Sequence, residues 1–359
     1  MTMRNAGRMV AAGLALAALG LGGCAPPAEE PKPRLLLSLP DDCNTPDGMT
    51  LDPATNVIYL SCPNFNEKDH PGKLMKITPD NQVEECFMMP KHPDTGYACP
   101  MGLDLGPDGH LYVADNQYFY DKNCKSRLIR VVLEGGRAVR AEVAVDGFKL
   151  SNAVVWKDDL VFVSDTFFDL ADRPGSSGIY RFTLEELKRG MVKLQPPPAD
   201  PHLIATLQTQ PLEHRQGELA GADGLTIDGQ GNLYTGNFGD GAFHRIALNS
   251  DGSAKEVKVV HRAQPLTCVD GIFWDAKRDV IYIADSEKNA IQVYHVKTGQ
   301  VTTLWENGDT DGSDGLLDQP CEPLVRGSDL IIVNFDMPFP GLKNKAYDKP
   351  HTICVIKLK

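Results

Sequence analysis

The sequence predicts an all-β fold, a six-bladed β-propeller whose ring is closed by pairing an N-terminal and a C-terminal strand in one blade. Three observations carry this prediction. One apolar–turn–apolar phrase recurs six times, it recurs about every 50 residues, and the strands left over at the two ends of the chain complete one blade.

In chain order the phrases are PDGMTLDPATNVIYLSC from residue 46, PMGLDLGPDGHLYVADN from 100, SNAVVWKDDLVFVSDT from 151, ADGLTIDGQGNLYTGNF from 222, VDGIFWDAKRDVIYIADS from 269 and CEPLVRGSDLIIVNFD from 321. The second residue of each, taken as an anchor, gives Asp47, Met101, Asn152, Asp223, Asp270 and Glu322, separated by 54, 51, 71, 47 and 52 residues. Short strands at that period are the mark of propeller blades. Each phrase opens on a brief apolar strand (Met49–Leu51, Val154–Trp156, Ile272–Trp274), passes a turn rich in Asp, Gly, Asn or Pro, and enters a second strand such as Leu111–Ala114 or Val280–Ala284. Further strands follow, as in LIRVVL from 128 and AIQVYHV from 290, so a repeat holds four. After the sixth phrase only TICVIKL from 352 remains, and RLLLSL from 34 is expected to supply the missing outer strand, leaving no open edge at the seam. The long interval holds TLEELKRG and PPPADP, read as a surface insertion in the third blade. The propeller is expected to occupy residues 34–359 with no second domain.

The start of the chain reads differently. Arg4 and Arg8 precede an apolar stretch from Met9 to Leu21, too short to span a bilayer comfortably, and Leu-Gly-Gly-Cys follows at 21–24. This resembles the lipobox of bacterial lipoproteins. It implies a signal peptide over 1–23, lipid on Cys24, and a Pro-rich tether over 24–33 holding an exported domain to a membrane of the cell envelope. The chain from Cys24 onward carries 34 basic against 48 acidic residues and no basic run, which argues against nucleic acid as a partner. A monomer acting on a small-molecule substrate or ligand is expected. Cysteines 43, 62, 86, 99, 124, 268, 321 and 354 form an even set in an exported chain, pointing to disulfides, and no zinc, c-type haem or zincin motif is present. Cys268–Cys321, on neighbouring blades, is the expected bridge.

In a propeller the first strands of all blades line the central channel in the same direction, so the six anchors converge at one mouth. Four carboxylates and an amide would face one another there, raising one another's pKa unless a cation neutralises them. Oxygen donors of this kind suit Ca²⁺, or Mg²⁺ or Mn²⁺ with more water; Zn²⁺ is a further option. The other reading is local: Asp-Gly is a turn dipeptide, and Asp47, Asp223 and Asp270 sit in Asp-Gly.

The phrases resemble those of the gluconolactonase/senescence-marker-protein superfamily, with paraoxonase-like lactonases and strictosidine-synthase-like propellers as distant cousins. LSNAVVW, GADGLTIDGQGNLYTGNFGDG and CEP carry the likeness. It implies Asn152, Asp223 and Glu322 as metal ligands, with Asp223 also a general base. Two positions depart from the pattern: Met101 stands where an Asn is expected, and cysteine replaces glycine before Glu322. The activity implied is cation-assisted hydrolysis of a lactone or related ester, with Asp223 or Asp270 taking a proton from water. The phrases also look like NHL-type repeats, which implies the alternative of a non-catalytic propeller binding a small ligand or protein at the cell surface. Asp47, Met101, Phe167 and Phe238 are expected to line the pocket, with Tyr118, Phe119, Phe168, Phe335 and Phe339 carried on loops at the same mouth. His214 reads as a loop histidine or a proton shuttle, and DTDGSDG from 309 as an acidic surface loop rather than a calcium loop.

Overall fold

A computed structural model describes residues 1, 2, 31–168 and 170–359. The signal-peptide and Cys24 expectations lie outside these residues. The chain divides into Met1–Glu30 and Pro31–Lys359, and the second unit is the propeller.

Six antiparallel sheets surround an axis. From the channel outward, blade one consists of Met49–Leu51, Ile58–Cys62, Lys73–Ile77 and Val83–Met88. Blade two is Pro100–Leu105, Leu111–Asp115, Ser126–Glu134 and Arg137–Phe148, and blade three is Ser151–Lys157, Leu160–Asp165, Ser176–Thr183 and Leu203–Gln208. Blade four is Ala222–Ile227, Leu233–Asn237, Phe243–Leu248 and Ala254–His261, and blade five is Ile272–Asp275, Val280–Asp285, Ala290–His295 and Val301–Glu306. Blade six joins the two ends of the domain. Pro320–Arg326, Asp329–Asn334 and Thr352–Lys357 come from the C-terminus and Arg34–Ser38 from the N-terminus, with Arg34 opposite Val355 and Ser38 opposite Thr352. The expected closure is therefore present.

Burial follows position in the blade. The second strands of blades one, two, four and five are buried throughout, because a neighbouring blade covers each face. That is why Leu111–Ala114 and Val280–Ala284 read as unbroken apolar runs rather than alternating ones. The outermost strands Val83–Met88 and Val301–Glu306 are part-exposed and carry charges or threonines outward.

The insertion does more than decorate blade three. Thr183 accepts a hydrogen bond from the Glu186 amide and Glu186 reaches back to the Thr183 N–H, a capping box that starts the helix Leu184–Arg189. The chain then lays Val192–Lys193 parallel to Val145 and Asp146, giving blade two a fifth strand before returning to complete blade three.

Candidate active site

Two local devices aim the anchors at the axis. The first is a register break where the inner strand meets the second strand: between Pro100 and Leu103, Ser151 and Val154, Ala222 and Leu225, and Pro320 and Glu322. Such a bulge bends the strand and redirects a side chain. Seryl groups on the second strands satisfy the freed amides, Ser164 Oγ accepting from the Ala153 N–H at 2.8 Å and Ser61 Oγ from that of Gly48 at 2.9 Å. The second device is the glycine after the anchor. A Cβ on Gly224 would lie 2.5 Å from the Asp270 carbonyl oxygen, and one on Gly271 would lie 2.2 Å from Glu322 Oε2 and 2.3 Å from the Cys321 carbonyl oxygen. These glycines let neighbouring inner strands touch where they crowd the axis. Asp-Gly in these phrases therefore marks close approach within the ring, and the turn reading of that dipeptide falls.

The anchors line a cavity of about 110 Å³ at one mouth of the channel: Asp47, Met101, Asn152, Asp223 and Asp270 form its foot. Phe119, Phe167, Phe238, Phe335 and Phe339 wall it above, as the loops predicted. Tyr118 stacks on Phe167 at 5.1 Å, and Phe335 on Phe339 at 6.4 Å. Phe168 instead packs into the core. Glu322 lies deeper. Its residue borders the second cavity, about 330 Å³, which runs down the channel past Gly48, Gly102 and Thr226.

Electrostatics link the two levels. Burial raises Asp223 well above the carboxylate range, and the charges of Asp270, Asp47 and Glu322 raise it further. Burial likewise raises Asp47, aided by Asp270, and Glu322, aided by Asp47, Asp270 and Asp104. Asp270 rises to about 7 through burial, held back by the Ser286 hydroxyl, which donates to its Oδ2 at 2.7 Å. Among the described residues, no protein donor hydrogen-bonds the carboxylates of Asp47, Asp223 or Glu322. Buried acids without donors or a basic partner are the arrangement a hard cation would relieve, and the donor set is oxygen in kind. The acids ring the axis rather than meet on it, since no three of them bring an oxygen within 4.8 Å of one another.

Several contributors were not singled out beforehand. Asn116 and Thr166 line the cavity, and Ser286 orients Asp270. Each directly follows the Asp that ends a second strand, in ADN, SDT and ADS, so the repeat itself held the signal. Asn116 accepts from the Tyr118 N–H through Oδ1, while its buried Nδ2 has no partner. It brings an amide to the blade in which Met101 replaces the expected one. Gln319, Leu150 and Glu218 also reach the cavity. His214 does not: it is exposed and pairs with Glu287 at 3.2 Å.

The cysteine expectation needs correction. The bridge is Cys43–Cys62, while Cys268 and Cys321 are separate buried thiols. Cys321 sits at the blade-six bulge and turns toward blade one, donating to the Pro46 carbonyl at 3.3 Å, whereas Cys268 lies against the buried Arg215. Each sulfur is thus engaged by a different neighbour.

No protein-family model matches the chain, and no curated protein matches it in sequence. Solved structures do match. A luciferin-regenerating enzyme is similar at TM-score 0.61 and 13% identity, covering 92% of this chain and 97% of its own. A gluconolactonase from Xanthomonas campestris is similar at TM-score 0.54 and 14% identity, covering 93% and 97%. Regucalcin from Agrobacterium tumefaciens, a calcium-binding protein, is similar at TM-score 0.54 and 13% identity, covering 91% and 95%. The shared property is the fold. The chain has the six-bladed propeller of gluconolactonase, regucalcin and luciferin-regenerating-enzyme structures, as its repeats led us to expect.

Proposed function

We propose that this chain is a divalent-cation-dependent hydrolase of lactones or related esters. The observation that carries the reading is the set of four buried or part-buried carboxylates from four blades, three without a protein donor, at the foot of an aromatic-walled cavity and, for Glu322, just below it. Likeness of fold to a gluconolactonase and to a calcium-binding propeller supports it. Asp223, Asn152 and Glu322 would hold the ion, with Ca²⁺ the best match to an all-oxygen set and Mg²⁺, Mn²⁺ or Zn²⁺ the alternatives. When bound, such an ion polarises an ester carbonyl and stabilises charge developing on its oxygen.

The chain's own groups supply the rest. Asp270, oriented by Ser286, accepts a proton from water at the cavity foot. The phenylalanine wall seats the apolar part of a substrate and limits water to that foot. Asn116 lines the cavity, and its Nδ2, which has no protein partner, would turn to donate to a substrate oxygen. Calcium added to EDTA-stripped protein should raise its melting temperature, and Asp223→Ala should reduce the shift. Against a panel of γ- and δ-lactones, turnover should appear with the ion and vanish in EDTA, and Asp270→Asn should lower kcat by roughly 10²–10⁴-fold. Bound calcium without turnover on any lactone would favour the binding propeller instead, a reading to which Met101 and the width of the acid ring lend weight.

We infer also that the domain is tethered to a membrane through lipid on Cys24. Mass spectrometry of the envelope-extracted chain should find diacylglycerol on that residue, and Cys24→Ala should release the protein from the membrane fraction.

A further inference from the structure

A second group of acids lies away from the axis. Asp318, Asp336 and Asp348 each present a carboxylate oxygen within 4.8 Å of the others. All three belong to blade six. Asp318 precedes its inner strand, Asp336 follows Asp329–Asn334, and Asp348 ends the long loop that leads to Thr352–Lys357. Asp318 and Asp336 are each 2% exposed.

The surroundings lack what an acid cluster needs to stand alone. Asp318 Oδ1 is buried with no hydrogen-bond partner. His351 is 4% exposed, neither ring nitrogen has a hydrogen-bond partner, and Nδ1 faces Asp336 Oδ2 at 3.8 Å. Among the described residues, the donors to the Asp336 carboxylate are neutral: Asn344 Nδ2 at 2.9 Å and the Asp348 N–H at 2.7 Å. Asp318 lies in the field of four further acids, Asp336, Asp348, Asp309 and Asp311. The last two contributors to Asp318 come from the DTDGSDG loop, which thus deepens the negative field here.

We propose that Asp318, Asp336 and Asp348 form a calcium site that fastens the 335–351 loop to the closing blade, distinct from the axial group. Ligand oxygens up to 4.8 Å apart match an ion bound at 2.3–2.6 Å, whereas the 2.0–2.1 Å distances of Mg²⁺ demand a tighter set. Three carboxylates supply the charge, and water completes the shell. The imidazole of His351 sits beside Asp336, outside the oxygen set.

The position gives the ion a consequence. Gln319, next to Asp318, lines the axial cavity, and its Oε1 accepts from the Met337 N–H and from Asn344 Nδ2. Phe335 and Phe339, on the same loop, wall that cavity. Calcium here would fix one side of the pocket without touching its contents.

The test uses EDTA-stripped mature protein and counts calcium by equilibrium dialysis. Wild type should bind one ion more than Asp348→Asn, whose altered residue is only half-buried. Asp348→Asn should keep whichever ion Asp223→Asn loses. Calcium should also slow tryptic cleavage at Lys343 and Lys345 severalfold in wild type and not in Asp348→Asn, a readout that the wild-type protein alone can fail. Equal calcium counts for wild type and Asp348→Asn, or cleavage indifferent to calcium in wild type, would overturn the proposal. A rise in melting temperature on Asp318→Asn with no loss of calcium would likewise overturn it, showing acids that merely share protons. If Asp223→Asn loses no ion while Asp348→Asn does, this site stands and the axial reading falls.

Discussion

At Asp285 a buried carboxylate meets only neutral donors: the Thr267 N–H and hydroxyl at 3.1 Å each and Gln292 Nε2 at 3.2 Å. Its counterpart in blade two, Asp115, has the Arg127 guanidinium at 2.5 Å. Burial pushes Asp285 up to about 7 from 3.8. The folded chain then keeps a proton that the unfolded chain has released, so this group's contribution is fully present below about pH 4 and is lost as pH rises toward 7. The loss is on the order of 4 kcal/mol by pH 7. Urea unfolding of wild type and Asp285→Asn between pH 4 and 8 should show a flatter profile for the variant; parallel curves would refute the assignment. Gly271→Ala tests the crowded axis, where a methyl group would meet Glu322 Oε2 and the Cys321 carbonyl. A loss of about 1–3 kcal/mol is expected by denaturant titration. The acids at four of the six anchors were legible in the repeated phrases, and so was the glycine after three of those acids, but not the reason for it. Asp-Gly is written identically in a hairpin turn and in a strand pressed against its neighbour, and only the packing separates them.

The ends of the second strands share a task. Asp115, Asp165, Asp285 and Asn334 accept from the amides of Cys99, Leu150, Thr267 and Asp318, each holding the segment that leads into the inner strand of its own blade. Blade one does the same job covalently: Cys62 occupies that strand end and is bonded to Cys43. Changing both cysteines to serine should lower stability by about 2–4 kcal/mol, measured by denaturant unfolding. The pairing was hidden because sequence shows that Cys62 ends a strand but not that its equivalents are clamps. Strand periodicity exposed the blades and their closure. It did not expose Val192–Lys193, two residues in a short segment between a helix and a Pro-rich run, whose strand character comes from the edge of Arg137–Phe148 that they reach. Nor did it show that Glu322 would sit below the ring of anchors, since the blade-six bulge sets its depth.

Across the whole molecule, six sheets enclose one axis, and each blade depends on the next for cover on its faces. Starting the chain at residue 40 would remove Arg34–Ser38 and bare the edge of Thr352–Lys357. That chain should melt lower than the full domain and should associate through the freed edge, seen as dimers or larger species in sedimentation. A monomer with unchanged melting would mean the seam does not hold the ring. Because Arg34 lies directly opposite Val355, the two ends of the domain are already neighbours. A short linker joining them, with a fresh break at the exposed Ser250–Asp251 hairpin tip, would yield a circularly permuted protein whose blade order starts elsewhere yet whose axial carboxylates stand where they did.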